Sequence, residues 1–190
     1  MSLTESTMLE LGTKAQDFSL PNTNAAAGKK IVSLKDFDNT SAILIAFICN
    51  HCPYVVHIRE GFVKFTREYQ DKNLAVIAIS ANDVTTHPQD GPEYMQADAE
   101  KYDYTFPYLY DETQDIAKTY NAACTPDFFL FDNNRELAYR GQFDSSRPNS
   151  GVPVTGEDLR AATDAVLSGQ AVAQNQIPSV GCNIKWKQDG

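Results

Sequence analysis

The fold is decided at residues 42–55, which read AILIAFICNHCPYV. The first half of this stretch, Ala42–Ile48, is continuously apolar and rich in isoleucine, which is typical of a strand buried on both faces in a parallel sheet. Pro53 suits the first position of a helix, because its missing N–H has no intrahelical partner there. Apolar residues then recur at intervals of three and four along one helix face: Val55, Ile58, Phe62, Phe65 and Tyr69. The sequence therefore predicts a buried strand that leads directly into an amphipathic helix.

The elements after this helix predict a mixed sheet. Leu74–Ser80 is a second strand rich in β-branched residues, so strand, helix and strand follow one another and the two strands are expected to be parallel. Asp127–Phe131 and Glu136–Arg140 are separated by a polar turn and predict an antiparallel hairpin. The patterns also predict two helices and a short strand between these units: Glu93–Tyr102, Phe106–Leu109 and Thr113–Tyr120.

The two ends of the chain add smaller elements. Asp17–Leu20 and Lys30–Leu34 predict a loose N-terminal β-hairpin. Residues 155–158, Thr-Gly-Glu-Asp, resemble a capping box that opens a last helix, which Gly169 ends. We expect one α/β domain over residues 1–190, with a core at about 12–169 and a C-terminal tail at 170–190. The apolar residues near the end of the tail indicate that it docks back onto the domain.

The composition excludes several classes of function. The chain has 190 residues, of which 42% are hydrophobic and 22% charged, as in ordinary globular proteins. A formal net charge of −9 offers no basic surface to nucleic acid or to an anionic membrane. The longest apolar run, Ala42–Cys49, is far shorter than the roughly 20 residues that span a bilayer. Residues 1–12 lack the cationic and apolar regions of a secretory signal, so we expect a cytoplasmic protein.

Cysteine chemistry is the open question, because four cysteines are compatible with redox activity, a metal site or buried thiols. Cys49 and Cys52 form a C-x-x-C pair at the predicted strand-to-helix junction. A helix N-terminus stabilises a thiolate, and the thiolate is the nucleophile. With Pro53 at the first helical position, Cys52 lies at the N-cap, so we favour Cys52 as the nucleophile and Cys49 as its resolving cysteine. The reverse assignment remains open. His51, when protonated, would add positive charge beside the pair.

A structural zinc site is the main alternative, since a C-x-x-C pair often supplies half of the ligands. The other ligands would have to come from isolated residues, namely Cys124, Cys182, His57 and His87. Because these residues lack ligand spacing, we expect neither a metal nor a cofactor. Cys124 is expected to be a buried apolar thiol. Cys182 is expected to be a shielded structural cysteine, with a role as a distal resolving cysteine or as a partner of Cys124 as the alternative.

A set of acidic residues is interpreted as a solvated face, because such residues are mostly exposed: Asp83, Asp90, Glu93 and Asp98. This interpretation assigns them no part in the chemistry of the cysteines.

Four stretches resemble a known family. They are Phe47–Val55, Phe106–Glu112, Cys124–Phe128 and Gly181–Lys187. Together with the position of the C-x-x-C pair, they resemble the thioredoxin-fold superfamily, in its peroxiredoxin-like branch related to alkyl hydroperoxide reductases and thiol-specific antioxidant proteins. The resemblance spans about Gly12 to Lys187. It implies a three-layer sandwich with a mixed central sheet.

The resemblance also implies roles for individual residues. Pro126 should be the cis-proline that faces the redox cysteine, and the backbone of Thr125 should then bind an extended substrate chain. Pro53 and His51 are expected to border the same substrate site. In peroxiredoxins a threonine stands where this chain has Cys49, and an arginine that helps to hold the peroxide stands at the position of Pro126.

These departures favour disulfide exchange, which needs no peroxide-binding donor. Arg140 or Arg147 could replace the missing arginine only if the fold brings one of them to the thiol. We therefore predict a thiol–disulfide oxidoreductase, with a peroxiredoxin-like thiol peroxidase using Cys52 as the alternative. A non-enzymatic metal-binding or scaffold module is the alternative of another class. The expected partners are a protein disulfide or a small peroxide as substrate, and a thioredoxin, glutaredoxin or glutathione-type reductant.

Overall fold

The computed structural model describes residues 2–188. The strands are β1 (Leu3–Glu5), β2 (Ser19–Pro21), β3 (Ile31–Ser33), β4 (Ala42–Phe47), β5 (Leu74–Ser80), β6 (Tyr108–Tyr110), β7 (Cys124–Thr125), β8 (Asp127–Phe131), β9 (Leu137–Tyr139) and β10 (Val180–Asn183). The α-helices are α1 (Pro53–Gln70), α2 (Pro92–Lys101), α3 (Asp115–Thr119) and α4 (Glu157–Leu167). Two short 3₁₀ helices cover Leu34–Phe37 and Pro88–Asp90. Within the described range, no helix combines the length and the apolar character that crossing a membrane requires.

The central sheet has five strands in the order β6-β5-β4-β8-β9. β4 pairs in parallel with β5, and β5 in parallel with β6. β8 runs antiparallel to β4, and β9 antiparallel to β8. All residues of β4 and β5 are buried, which explains why both strands are continuous apolar runs. The predicted mixed sheet is confirmed.

Helices cover both faces of this sheet, and the alternation of side chains along β4 divides the core in two. On one face, Leu44 and Ala46 pack with Phe62 of α1, Met95 of α2 and Leu159 of α4. On the other face, alternate residues of β4 pack with α3 and with the β2–β3 hairpin. The three-layer sandwich is therefore confirmed.

A second, small sheet joins the two ends of the chain. Its order is β1-β10-β7, with both pairings antiparallel. The C-terminal tail thus docks onto the domain, as expected, but it does so as a strand between the N-terminus and β7. None of these three strands is predicted from the sequence, because each has only two to four residues.

The prediction of a capping box at the start of α4 is wrong. The N-cap is Gly156, whose φ of 69° lies in the left-handed region that glycine adopts without steric cost. The carboxylate of Asp144 accepts hydrogen bonds from the backbone N–H groups of Thr155 and Gly156. Asp158 instead accepts a hydrogen bond from Gln142. A side chain from another segment therefore holds the turn that leads into the helix.

Candidate active site

Cys52 is the N-cap residue of α1, as the sequence predicts. Its backbone is extended, with φ −62° and ψ 123°, and Pro53 occupies the first helical position. The Cys52 carbonyl accepts the first hydrogen bond of the helix, from Val56 N–H at 2.9 Å. The Cys52 side chain is fully buried, whereas Pro53 is exposed. The thiol therefore lies under the surface, at the positive end of an 18-residue helix.

The peptide bond between Thr125 and Pro126 is cis, as the resemblance implied. The Sγ atom of Cys52 lies 3.2 Å from the carbonyl oxygen of Thr125. The hydroxyl of Thr125 lies 3.4 Å from the Sγ atom of Cys49. The residue before the cis-proline thus contacts both cysteines of the C-x-x-C pair.

The environment separates the acidities of these two thiols. A hydrogen bond from the Cys49 thiol is the largest effect and, with further donors from Cys182 and the backbone of Val55, lowers the pKa of Cys52 to about 5. The same hydrogen bond, together with burial and the charge of Asp90, raises the pKa of Cys49 well above its ordinary value. At neutral pH Cys52 is therefore the thiolate and Cys49 the thiol. This is the difference that a nucleophile and a resolving cysteine require.

A buried carboxylate holds the loop between the two cysteines. Oδ1 of Asp90 accepts hydrogen bonds from the backbone N–H groups of Asn50, at 2.9 Å, and His51, at 3.3 Å. Oδ2 lies 2.6 Å from Nδ1 of His51 and accepts a second hydrogen bond from Asn82. Because an ionised carboxylate only accepts, Nδ1 of His51 is the donor. The same nitrogen lies 3.9 Å from Sγ of Cys49.

The prediction that four acidic residues form a solvated face is wrong for Asp90 and Asp83. Asp90 is fully buried and Asp83 is nearly so. Asp98 is partly buried and pairs with Arg59 at 3.0 Å. The sequence does contain a signal for Asp90: its segment follows the parallel strand β5, and the carboxyl ends of adjacent parallel strands meet at one edge, where Cys49 follows β4.

The arrangement at Asp90 also bears on metal binding. Among residues 2–188, one group of His, Cys and carboxylate side chains brings its ligand atoms within 4.8 Å of one another, namely Cys49, His51 and Asp90. Both oxygens of Asp90 already accept hydrogen bonds. None of the four residues considered as additional zinc ligands belongs to this group. A structural zinc site needs four protein ligands in a tetrahedral arrangement. This group has only three, and the carboxylate among them is already hydrogen-bonded.

The two arginines considered as peroxide-binding donors are engaged elsewhere. Arg140 is fully buried and forms an ion pair with Asp127 at 3.0 Å. Arg147 donates to the backbone carbonyls of Asp144 and Ser146. Neither guanidinium has a described contact with Cys52.

The structure places Cys182, on β10, directly at the site. Its Sγ atom lies 2.7 Å from that of Cys52. Cys182 is buried, as expected, but its contact with Cys52 brings it into the candidate site, which the sequence did not predict. Cys124 is buried as expected, and burial raises the pKa of its thiol.

Comparisons with known proteins identify the family and the fold of the chain. Residues 11–140 match the model of the AhpC/TSA family. The chain is 31% identical over 124 residues to the thioredoxin-like protein YneN of Bacillus subtilis, covering 65% of this chain and 66% of the length of that relative.

Solved structures show the same fold. A hypothetical protein from Sinorhizobium meliloti is 50% identical, with a TM-score of 0.94 over 98% of this chain and all of the other. The thioredoxin domain of a thiol-disulfide oxidoreductase from Bacteroides vulgatus is 18% identical, with a TM-score of 0.55 over 70% of this chain and 89% of the other, and shares the fold. The chain thus belongs to the AhpC/TSA family and is a thioredoxin-fold protein of the thiol oxidoreductase class.

Proposed function

We propose that this protein reduces disulfides by thiol–disulfide exchange, with Cys52 as the nucleophile and Cys49 as the resolving cysteine. The observation that carries the proposal is the environment of Cys52. Its sulfur lies at a helix N-terminus, is surrounded by hydrogen-bond donors, and lies 3.2 Å from the carbonyl oxygen that precedes the cis-proline. A low thiol pKa together with an adjacent resolving thiol supplies what exchange requires.

In the first step, the Cys52 thiolate attacks one sulfur of the substrate disulfide. A bond forms between Cys52 and that sulfur, the substrate S–S bond breaks, and the other sulfur leaves as a thiolate. In the second step, Cys49 loses its proton and attacks the sulfur of Cys52. The Cys49–Cys52 disulfide forms and the second substrate thiolate leaves. The substrate gains two electrons, and the proton from Cys49 together with one from water neutralises its two thiolates.

The residues around the pair have distinct proposed roles. The backbone of Thr125, next to Pro126, would pair with an extended substrate chain. Asp90 and His51 fix the loop, so that Cys49 stays within reach of Cys52 when the mixed disulfide forms. A reductant of the thioredoxin, glutaredoxin or glutathione type would return two electrons to the enzyme disulfide. A cytoplasmic location remains our prediction.

Peroxide reduction is the less favoured activity. In that reaction a positioned donor stabilises charge on the peroxide oxygens, and such donors are commonly worth about 10²- to 10³-fold in rate. Arg140 is bound to Asp127 and Arg147 to backbone carbonyls. Disulfide exchange needs no such donor.

The proposal is tested by comparing Cys49→Ser and Cys52→Ser variants in insulin disulfide reduction and in alkylation as a function of pH. We expect Cys52→Ser to abolish both the activity and the low-pKa alkylation. Cys49→Ser should retain the reactive thiolate, and Cys49→Ser/Cys182→Ser, which also lacks the thiol in contact with Cys52, should accumulate a mixed disulfide with the substrate. Cys124→Ser is the matched control, because this cysteine is also buried in the same region. Mixed disulfides that form through Cys49 and not through Cys52 would reverse the assignment. Stoichiometric zinc that is lost in Cys49→Ser would support the metal-binding alternative.

A further inference from the structure

The C-terminal strand β10 occupies the edge at which a substrate chain would bind. It pairs antiparallel with β7, and Cys182 lies opposite Thr125 in this pairing. Under the proposed function, the backbone of Thr125 at this edge would pair with an extended substrate chain. The protein therefore presents a segment of its own chain to its own nucleophile.

The fit of β10 depends on Gly181, which pairs with Thr4 of β1 and directly precedes Cys182. A Cβ atom at this position would lie 1.9 Å from the carbonyl oxygen of Thr125 and 3.2 Å from Cδ of Pro126. No residue with a side chain could approach the backbone around the cis-proline so closely. The absence of a side chain at 181 is what lets the next residue, Cys182, reach the site.

Hydrogen bonds hold the strand on both sides of Cys182. Before it, the hydroxyl of Ser179 donates to the carbonyl of Pro126 at 2.6 Å. After it, the backbone of Lys185 donates to the side chain of Asn82 and accepts from the backbone of Asp83, at 2.9 and 2.8 Å. The segment is thus fixed along its length, and the position of Cys182 is determined by the fold.

The two sulfurs are positioned for exchange. The distance of 2.7 Å between Sγ of Cys52 and Sγ of Cys182 compares with about 2.03–2.05 Å in a disulfide bond. We propose that Cys182 is a third redox cysteine, which exchanges with the Cys49–Cys52 disulfide to form a Cys52–Cys182 disulfide. This inference rests on the proposed function, because it needs Cys52 to become oxidised by a substrate disulfide.

The exchange balances without a further reactant. The Cys182 thiol loses its proton and its sulfur attacks Sγ of Cys52. The Cys52–Cys182 bond forms, the Cys49–Cys52 bond breaks, and Cys49 leaves as a thiolate that takes up a proton. The three cysteines hold one disulfide and one thiol both before and after the exchange, so no net oxidation or reduction takes place. The product carries the disulfide on the C-terminal strand β10.

The protonation of Cys182 fits this role. Burial and the hydrogen bond to Cys52 raise the pKa of Cys182 to about 12. In the reduced protein Cys182 is therefore a neutral donor that stabilises the Cys52 thiolate. Once Cys52 is in a disulfide, that thiolate is gone, and burial remains as the main cause that raises the pKa of Cys182.

The test isolates the Cys52–Cys182 bond by removing Cys49. The reduced Cys49→Ser protein is treated with stoichiometric diamide, its free thiols are blocked under denaturing conditions, and its disulfides are mapped by mass spectrometry. We expect an intramolecular Cys52–Cys182 disulfide as the main product. It should be lost in Cys49→Ser/Cys182→Ser and retained in Cys49→Ser/Cys124→Ser, the matched control. Oxidation of Cys49→Ser that leaves Cys182 as a free thiol would overturn the proposal.

The wild-type protein provides a second measurement that does not depend on the folding of a variant. After partial oxidation, the Cys52–Cys182 and Cys49–Cys52 disulfides should both be present and should interconvert on dilution into oxidant-free buffer. A wild-type protein with the Cys49–Cys52 disulfide alone would overturn the inference and leave the proposed function standing. If neither wild type nor Cys182→Ser reduces insulin, the proposed function itself fails, whatever the pattern of disulfides.

Discussion

Replacing Gly181 by alanine should open the candidate active site without changing any cysteine. The added Cβ would lie 1.9 Å from the carbonyl oxygen of Thr125 and 2.7 Å from its carbonyl carbon. Carbon atoms in favourable contact are about 3.5–4.0 Å apart, so the two segments must separate by roughly 1 Å. Both contacts are with backbone atoms next to a cis-proline, and no side chain can rotate away to relieve them. The strand β10 has to move.

The size of the effect follows from the cost of forcing extra atoms into a packed region. Such overpacking typically costs about 1–3 kcal/mol. The overpacking destabilises the closed arrangement, in which β10 is paired with β7. It does not destabilise the open arrangement, in which β10 has moved away from β7. A loss of about 1–2 kcal/mol changes the ratio of open to closed molecules roughly 5- to 30-fold. Since Cys52 is fully buried when β10 is in place, its alkylation should accelerate by a similar factor.

The assay is the rate of Cys52 alkylation by iodoacetamide in the reduced protein at pH 7, measured by mass spectrometry. Val180→Ala is the matched control, because it removes atoms from the same strand and adds no contact. Circular dichroism and thermal denaturation establish that the Gly181→Ala protein is folded. A folded variant whose Cys52 is alkylated at the wild-type rate would refute the reasoning, since β10 would then not control access to the thiol.

Three further predictions follow from the site and its surroundings. With the pKa of Cys52 lowered to about 5, its alkylation rate should be level above pH 6 and fall as the pH drops through 5 and the thiolate is lost; a midpoint near the ordinary thiol value would contradict this. Asp127→Asn should lower the free energy of unfolding by about 3–5 kcal/mol, because it leaves the buried Arg140 without its counter-ion, whereas Asp103→Asn should change it little, because its ion pair is exposed. Urea denaturation of both variants measures the difference. In stopped-flow single turnover, hydrogen peroxide should oxidise the Cys52 thiolate no faster than a free thiolate, and a rate about 10²-fold higher would restore the peroxidase assignment.

The parts of this protein that follow from local patterns could be predicted from the sequence. Ala42–Phe47 and Leu74–Ser80 form buried parallel strands because both faces need apolar residues. The 3.6-residue repeat after Pro53 places one apolar stripe on the sheet. The N-cap position of Cys52 followed from Pro53 alone. Each of these inferences depends on a few neighbouring residues, and each is confirmed.

The features that depend on contacts between distant segments could not be predicted from the sequence in the same way. Asp90 stands in a turn-rich, acidic stretch, and only the three-dimensional approach of that stretch to the C-x-x-C loop explains its burial. Cys182 lies 130 residues from Cys52, in a four-residue strand. Neither periodicity nor motif spacing pairs two positions that far apart. Gly181 was the available clue, since a glycine within a strand marks a close backbone approach.

The covering strand has a consequence for substrate choice. A substrate disulfide that reaches Cys52 must first displace β10 from Thr125, so the free energy of the β7–β10 pairing is subtracted from substrate binding. Small disulfides need only a brief opening, whereas a protein chain needs the whole edge. The relative rates of a small disulfide and insulin should therefore converge in Gly181→Ala, because the substitution removes the barrier that the larger substrate meets. Equal increases in the reduction rates of insulin and of the small disulfide would contradict this prediction. They would show that every opening of β10 already admits both substrates.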